Sequence, residues 1–506
     1  MRSKLALTNI GVNFITQVIV AFLGFFSRAI FIGNLDITYL GINSLFTNIV
    51  GLLTLLELGV GAAFNYSLYK PLADKDHSKV KALMKLFKKL YTYVSLIIII
   101  IGLSILPFLD IFVKEEIKYL EWYFILFILD AAISYLFSYK QTLLFADQKG
   151  YVISLINVIV NIFTTIIKIF VLIFTQNYFL YLLVMIFSRL VLNYWIFNKA
   201  NKMYPEIENS EIVELTIQDK KQLTTNIKAL FIDRISGFII TSTDNIIISA
   251  FIGLKIVGTY ANYFLVTSTF NVLISKILTS ITPSYGNLFE EKDTDKSYKI
   301  FNILQYISFL IYSSCALTIY LVINDFIAIW IGQEYVFSNN LVLVIIISFF
   351  VNGSRQYLMI TRTAGGLYWA DRYRLLAEAI LNIILSLILV QYLGLMGVLL
   401  GTLFSIVIIS FYVEPFLIYK YLFPNKNLKI YFIKTLYYYL VIFLQYNLLI
   451  KIREYFFIDG IFSLILVSGF LFICANLTFV VGTMFLNEFK LVCSYLKIFK
   501  FARKEK

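Results

Sequence analysis

Read for apolar and polar positions, the chain falls into fourteen apolar runs: 7–32, 39–68, 91–113, 120–145, 152–174, 179–197, 224–252, 256–285, 301–331, 341–363, 375–392, 396–419, 431–450 and 456–486. A helix needs about 20 apolar residues to cross a bilayer core, and these runs are near or above that length. The expected fold class is therefore an all-α polytopic membrane protein of about 14 transmembrane helices. The longest polar interruption, Asn201 to Lys221, holds Glu206, Glu208, Glu211 and Glu214 after Pro205. It predicts a cytoplasmic linker (201–221) between a first six-helix bundle (1–200) and a second (222–423). Residues 424–506 add two further spans and a basic tail.

The runs are not uniformly apolar. In the first, Asn9, Asn13, Gln17, Gly24 and Arg28 fall within a sector of roughly 100° at helical spacing. In the second, Asn43, Thr47, Thr54, Glu57, Gly61 and Asn65 make a narrower stripe. Later spans repeat the habit with Asp130, Ser134 and Ser138; with Asn157, Asn161, Thr164 and Lys168; and with Arg189 and Asn193. Further on come Asn262, Thr269 and Lys276, then Asn352 and Arg355, then Glu378, Asn382 and Ser386. A charge deep in an apolar helix costs several kcal/mol unless it faces water or a partner. Aligned stripes therefore predict a polar route through the membrane, or ion pairs that hold helices together.

Two segments recur. FIGNLDITYLG (Phe31 to Gly41) matches FIGLKIVG (Phe251 to Gly258), and SLYKPLADKD (Ser67 to Asp76) matches PSYGNLFEEKD (Pro283 to Asp293). An even number of spans separates the copies, which predicts a parallel repeat about an axis along the membrane normal, with substrate between the halves.

Composition agrees with the pattern: of 506 residues 60% are hydrophobic and 14% charged, with a mean hydropathy of +0.83. The net charge of +13 is mostly a topology signal rather than a nucleic-acid footprint. Only Lys114, Lys118, Lys255, Lys451 and Arg453 fall on one side of the fourteen-span arrangement, and most other Lys and Arg fall on the opposite side or at the termini. Both termini are thus expected in the cytoplasm. Lys79 to Leu90 has an apolar face (Leu83, Met84, Phe87, Leu90) among lysines and reads as an interfacial amphipathic helix or a plain basic loop. Arg2 and Lys4 precede a run too long for a signal peptide, so the first span is expected to stay uncleaved.

Cys315, Cys474 and Cys493 are too scattered for a disulfide framework, and His77 is the single histidine, so no metal site or cofactor is expected. GxxxxGK[ST], HExxH, CxxC and GxSxG are all missing. External loops of about ten residues leave no room for a catalytic domain, so an enzyme is not expected. Intramembrane charges remain. Arg28, Arg189, Arg234, Lys276 and Arg355 are candidates to bind an anion such as a pyrophosphate, which the planar guanidinium fork suits. Asn13, Gln17, Asn43, Asn65, Asn157, Asn161, Lys168, Asn262, Thr269 and Asn352 are candidate cavity-lining or substrate-binding groups. Glu57, Asp130, Asp244 and Glu378 are candidates for ion coupling.

TDNIIISAFIGLKIVGTYANY (Thr243 to Tyr263) followed by PSYGNL resembles the Wzx-type polysaccharide flippases of the multidrug/oligosaccharidyl-lipid/polysaccharide (MOP) exporter superfamily. ELGVGAAFNYSLYKPLADKD (Glu57 to Asp76), GLYWADRYRLLAEAILNIILS (Gly366 to Ser386) and GVLLGTLFS (Gly397 to Ser405) extend the resemblance over nearly the whole chain. It implies two six-helix bundles forming a V, two extra helices, and alternating access in the bacterial cytoplasmic membrane. The implied substrate is an undecaprenyl-pyrophosphate-linked oligosaccharide for capsule, exopolysaccharide or cell-wall polysaccharide, flipped to the outer leaflet. Membrane lipids, a glycan polymerase and glycosyltransferases are the partners this implies. Arg28 fits the intracavity arginines that related lipid flippases use for pyrophosphate. Two other readings stay open: a cation-coupled drug exporter of the same superfamily, and a non-transporting scaffold of a glycan-assembly complex.

Overall fold

The computed structural model describes the backbone of residues 2–54, 60–211, 213–217, 242–291 and 293–502, with side chains from 15 to 494 in those segments except at 60, 62, 63 and 368. Glu57, Asp233, Arg234 and the side chains of Asn9 and Asn13 lie outside the described residues. Helix is the regular structure of the described residues. Among the described residues, twelve helices are long and apolar enough to cross a membrane. Of the two other expected spans, the second is described as helix over Ile37–Leu53 and Val60–Ala73, with 55–59 outside the described residues, and most of the seventh also lies outside them. Large apolar side chains point outward along these helices; Phe163 is 63% and Phe443 61% exposed. Such faces are stable against hydrocarbon, not water. The chain is a multi-pass membrane protein.

The chain divides into two compact units, Met1–Ala261 and Asn262–Lys506. The first holds α1 (Arg2–Asn34), α2 (Ile37–Leu53), α3 (Val60–Ala73), α4 (His77–Ile105), α5 (Leu120–Ala146), α6 (Gly150–Thr175) and α7 (Tyr178–Met203). It also holds a helix at 242–251, α8, and the first two turns of α9 (Leu254–Thr279). Asp36 caps α2 by accepting from the Thr38 N–H at 2.8 Å, which accounts for the break between α1 and α2. α5 packs against α4 and α7, and α1 against α6. Phe46, Phe64, Phe87 and Phe124 fill the interior.

One expectation is corrected here. The lysine-rich segment 79–90 is neither an interfacial helix nor a loop: it forms the first turns of α4, continuous with the membrane span. Leu83, Met84 and Phe87 are buried in the protein, with Phe87 stacked on Phe64 at 4.2 Å, so tertiary packing takes the face that a lipid surface would have covered. The first residues of the expected linker pack on the first unit. Ile207 is buried, Lys140 pairs with Glu208, and Lys81 donates to the carbonyls of Glu208 and Ser210. Burial and a hydrogen bond to Asp147 push the Tyr204 hydroxyl well above its usual range.

The second unit is built around α11 (Thr294–Trp330), the most buried long helix, preceded by α10 (Thr282–Glu290). Around it lie α12 (Asn339–Ser354), α13 (Gln356–Ala364), α14 (Tyr368–Leu393), α15 (Leu395–Ser405) and α16 (Phe411–Tyr421). The two additional spans, α17 (Leu428–Arg453) and α18 (Ile461–Thr483), pack on α11 through Leu317, Val322, Leu449, Val467, Leu471 and Ala475. A final helix, α19 (Asn487–Ala502), follows. The segment AGGLYWADRYR, which falls between the expected runs 341–363 and 375–392, is helical from Tyr368, and Asp371 and Arg374 are buried.

The sequence repeat has counterparts in local structure. Asp76 caps α4 and Asp293 caps α11, each accepting from the third residue on at 2.9 Å. α2 and α9 also cross each other reciprocally. A Cβ added at Gly41 would clash with the Leu254 carbonyl, and one at Gly258 with the Ile37 carbonyl. Each glycine sits four residues after the partner's carbonyl, so one contact is repeated across a local two-fold. Only a residue without a side chain permits this approach.

Candidate functional site

In the first unit, the polar stripes of α1, α2 and α6 converge on one pocket of about 270 Å³. Arg28, Asn43, Asn161 and Lys168, all expected to line a cavity, meet there. Ser27, Thr164, Thr165 and Tyr181 complete the polar lining. Helical spacing accounts for the convergence: Asn161, Thr164 and Lys168 lie on one face of α6, and that face packs against α1.

Both cations are held. Arg28 Nη1 donates to the Ala261 carbonyl at 2.8 Å, and Lys168 Nζ sits 4.4 Å from the centre of the Tyr181 ring. The carbonyl is itself fixed by the anchoring of α8 and α9. Glu115 accepts from the Leu254 N–H at 2.7 Å, Lys114 donates to the Phe251 carbonyl at 2.6 Å, and Ser249 to that of Phe112 at 2.5 Å. The described residues that line the pocket include two cations and no carboxylate. Charge held in a low-dielectric setting acts strongly on whatever enters such a pocket.

The other nominated charges lie elsewhere. Arg189 forms a two-pronged ion pair with Asp130, at 3.1 and 3.0 Å. Arg355 does the same to Glu414, at 3.0 and 2.6 Å. Both pairs join residues 59 apart, and their polarity is reversed: the acid comes first in one, the base in the other. Arg355 belongs to a larger buried network. Arg374 Nη2 reaches Glu414 at 3.1 Å, Arg374 Nε reaches Asp371 at 2.6 Å, and Arg374 Nη1 reaches Glu378 at 3.2 Å. Arg362 also pairs with Asp371, and Ser410 bonds Glu378. Three guanidinium groups thus balance three carboxylates, beside the helix break at Arg355 and a π-helical turn at Ile406–Ser410.

Asn65 and Asn157 are half-buried, Asn262 is fully buried and Asp244 nearly so, while Lys276 is exposed on α9. Gln17 and Thr269 are half-buried; Thr269 bonds its own helix, as does the exposed Asn352. Arg374, Asp371 and Glu414 were not singled out from the sequence. The signal for Glu414 was present, an acid before Pro415 in an otherwise apolar run.

No family model matches the sequence, and no curated protein does. Solved structures match the fold. The lipid II flippase MurJ in an inward closed conformation superposes with a TM-score of 0.67 at 14% identity, covering 93% of this chain and 98% of that one. A multidrug resistance MATE family transporter of the MOP superfamily in an inward-facing conformation gives 0.59 at 14% identity, covering 76% and 90%. A mutant of the Vibrio cholerae MATE transporter VcmN gives 0.56 at 13% identity, covering 84% and 98%. The fold is that of the MOP superfamily transporters. These neighbours are transporters and flippases rather than enzymes.

Proposed function

We propose that the protein is a flippase for a diphosphate-linked oligosaccharide carried on a polyprenyl lipid, working by alternating access in a bacterial plasma membrane with both termini cytoplasmic. The observation that carries this reading is the pocket lined by Arg28 and Lys168 among amides and hydroxyls, with no acid in its described lining. A diphosphate brings negative charge to both cations. Arg28 grips it with two parallel hydrogen bonds after exchanging the Ala261 carbonyl, and Lys168 adds a point charge. Asn43, Asn161 and Thr164 are placed to bond remaining phosphate oxygens or the first sugar. The likeness of the fold to a lipid II flippase supports the same reading. The paired repeat supports two bundles, 1–200 and 222–423, that rock about the linker.

The same fold also serves multidrug exporters, which suggests a second reading. An organic cation would need a carboxylate in the pocket, and the two cations there oppose it. The deciding experiment is graded substitution. Arg28→Lys keeps the charge and loses the fork, and Arg28→Ala loses both. The expected order of glycan export is parent, Lys, Ala, with a loss of about tenfold or more for Ala, since charged hydrogen bonds contribute roughly 1.5–3 kcal/mol. Membrane abundance should be unchanged. Normal export by the Ala variant at normal abundance refutes the site.

A further inference from the structure

At the opposite end of the first unit from the docked linker lies a second cleft, of about 620 Å³. That is within the roughly 300–1,000 Å³ typical of small-ligand sites. Its wall is aromatic: Tyr39 from α2, Trp122 and Tyr123 from α5, and Tyr178 from α7. Gln176 and Asn177, in the turn between α6 and α7, supply amides. None of its described lining residues is charged.

The rings form a connected cluster rather than a scattered belt. Tyr178 lies 4.9 Å from Tyr123 and 5.0 Å from Tyr39, and Tyr178 and Tyr181 stack at 6.0 Å. Tyr181 is the ring that Lys168 covers, so an aromatic path runs from the cation pocket to this cleft. At the rim, Tyr119 is 57% and Trp122 58% exposed. Tyr119 and Gln176 both hold left-handed backbones, an unfavourable conformation for residues with side chains. Tyr178 is buried, and its hydroxyl has no hydrogen-bond partner among the described residues.

We propose that this cleft binds neutral sugar. A pyranose presents a flat C–H face that stacks on indole and phenol rings, and hydroxyls that exchange hydrogen bonds with amides and phenols. It carries no charge, which fits a lining without Lys, Arg, Asp or Glu. A phospholipid headgroup, the other natural occupant of an aromatic rim at a membrane surface, would call for a cation to meet its phosphate. Lys118 lies outside the lining, over the Tyr119 ring at 4.9 Å. The inference rests on the proposed glycan cargo and adds a location: sugar is held at the rim expected to face outward while the diphosphate sits at Arg28.

The test uses the full-length protein in nanodiscs and saturation-transfer NMR with lactose, maltotriose and chitobiose as probes. At least one is expected to receive saturation on its ring C–H protons. Trp122→Ala and Tyr119→Ala should each weaken its binding by about tenfold, and Trp122→Phe, which keeps a ring, should retain most of it. Arg28→Ala should leave sugar binding intact while reducing export, so the two sites fail separately. No saturation transfer to any probe, or transfer unchanged by Trp122→Ala, makes the cleft a headgroup-facing aromatic rim and overturns the proposal.

Discussion

Arg374 offers the most demanding test of the second unit. Its side chain is 3% exposed and contacts three carboxylates, so replacing it with Met removes one of three cations from a neutral buried cluster. The consequences for the three acids differ. Asp371 keeps Arg362 and Glu414 keeps Arg355, whereas Glu378 is left with the Ser410 hydroxyl. Breaking a buried pair by removing one partner costs about 3–5 kcal/mol, mostly the cost of the stranded charge. Against a net stability of about 5–15 kcal/mol, Arg374→Met should sharply lower both membrane abundance and the melting temperature in detergent. Arg374→Lys should fall between, because one ammonium cannot span three carboxylates. The double variant Arg374→Met with Glu378→Gln restores neutrality and should recover about half of the loss. Thermal melts followed by fluorescence size exclusion measure all three. A single variant that melts with the parent, or a double variant whose loss is the sum of the two singles, refutes the coupled network. Glu378 is also a candidate for ion coupling. Export by Glu378→Gln with parental ion dependence and stability would leave it a structural partner of Arg374.

Two further outcomes follow from the geometry. Gly41→Leu and Gly258→Leu should each force α2 and α9 apart and lower abundance or melting temperature, whereas Gly24→Ala, with open space at its Cβ, should not; equal behaviour of all three refutes the close crossing. With the three native cysteines replaced, Lys118→Cys should react with an impermeant maleimide added to intact cells and Lys85→Cys should not, and the reverse pattern inverts the topology.

The cation pocket was legible in the sequence because the face a side chain occupies on a helix is a local property. Arg28, Asn43, Asn161 and Lys168 were read as members of stripes, and the packing of α1, α2, α6 and α7 needed only to bring those faces together. Which charge meets which was not legible, since pairing across helices is decided by packing between distant segments. Arg374 shows the limit most clearly. It falls in a polar interval between two expected spans, yet it is on a helix that starts at Tyr368 and its side chain is buried in an ion network.

The two 59-residue pairs then decide how the remaining cations should be read. Asp130 with Arg189 joins α5 to α7, and Arg355 with Glu414 joins the break after α12 to α16, at the same separation with the signs exchanged. A substrate phosphate would demand that the sign stay fixed, because only the cation contributes to binding. A clamp between helices demands only that opposite charges meet, so exchanging them costs little. The reversal therefore argues that Arg189 and Arg355 hold helices together within their own units. The proposal for anion binding therefore rests on Arg28 and Lys168, which share a pocket whose described lining contains no acid.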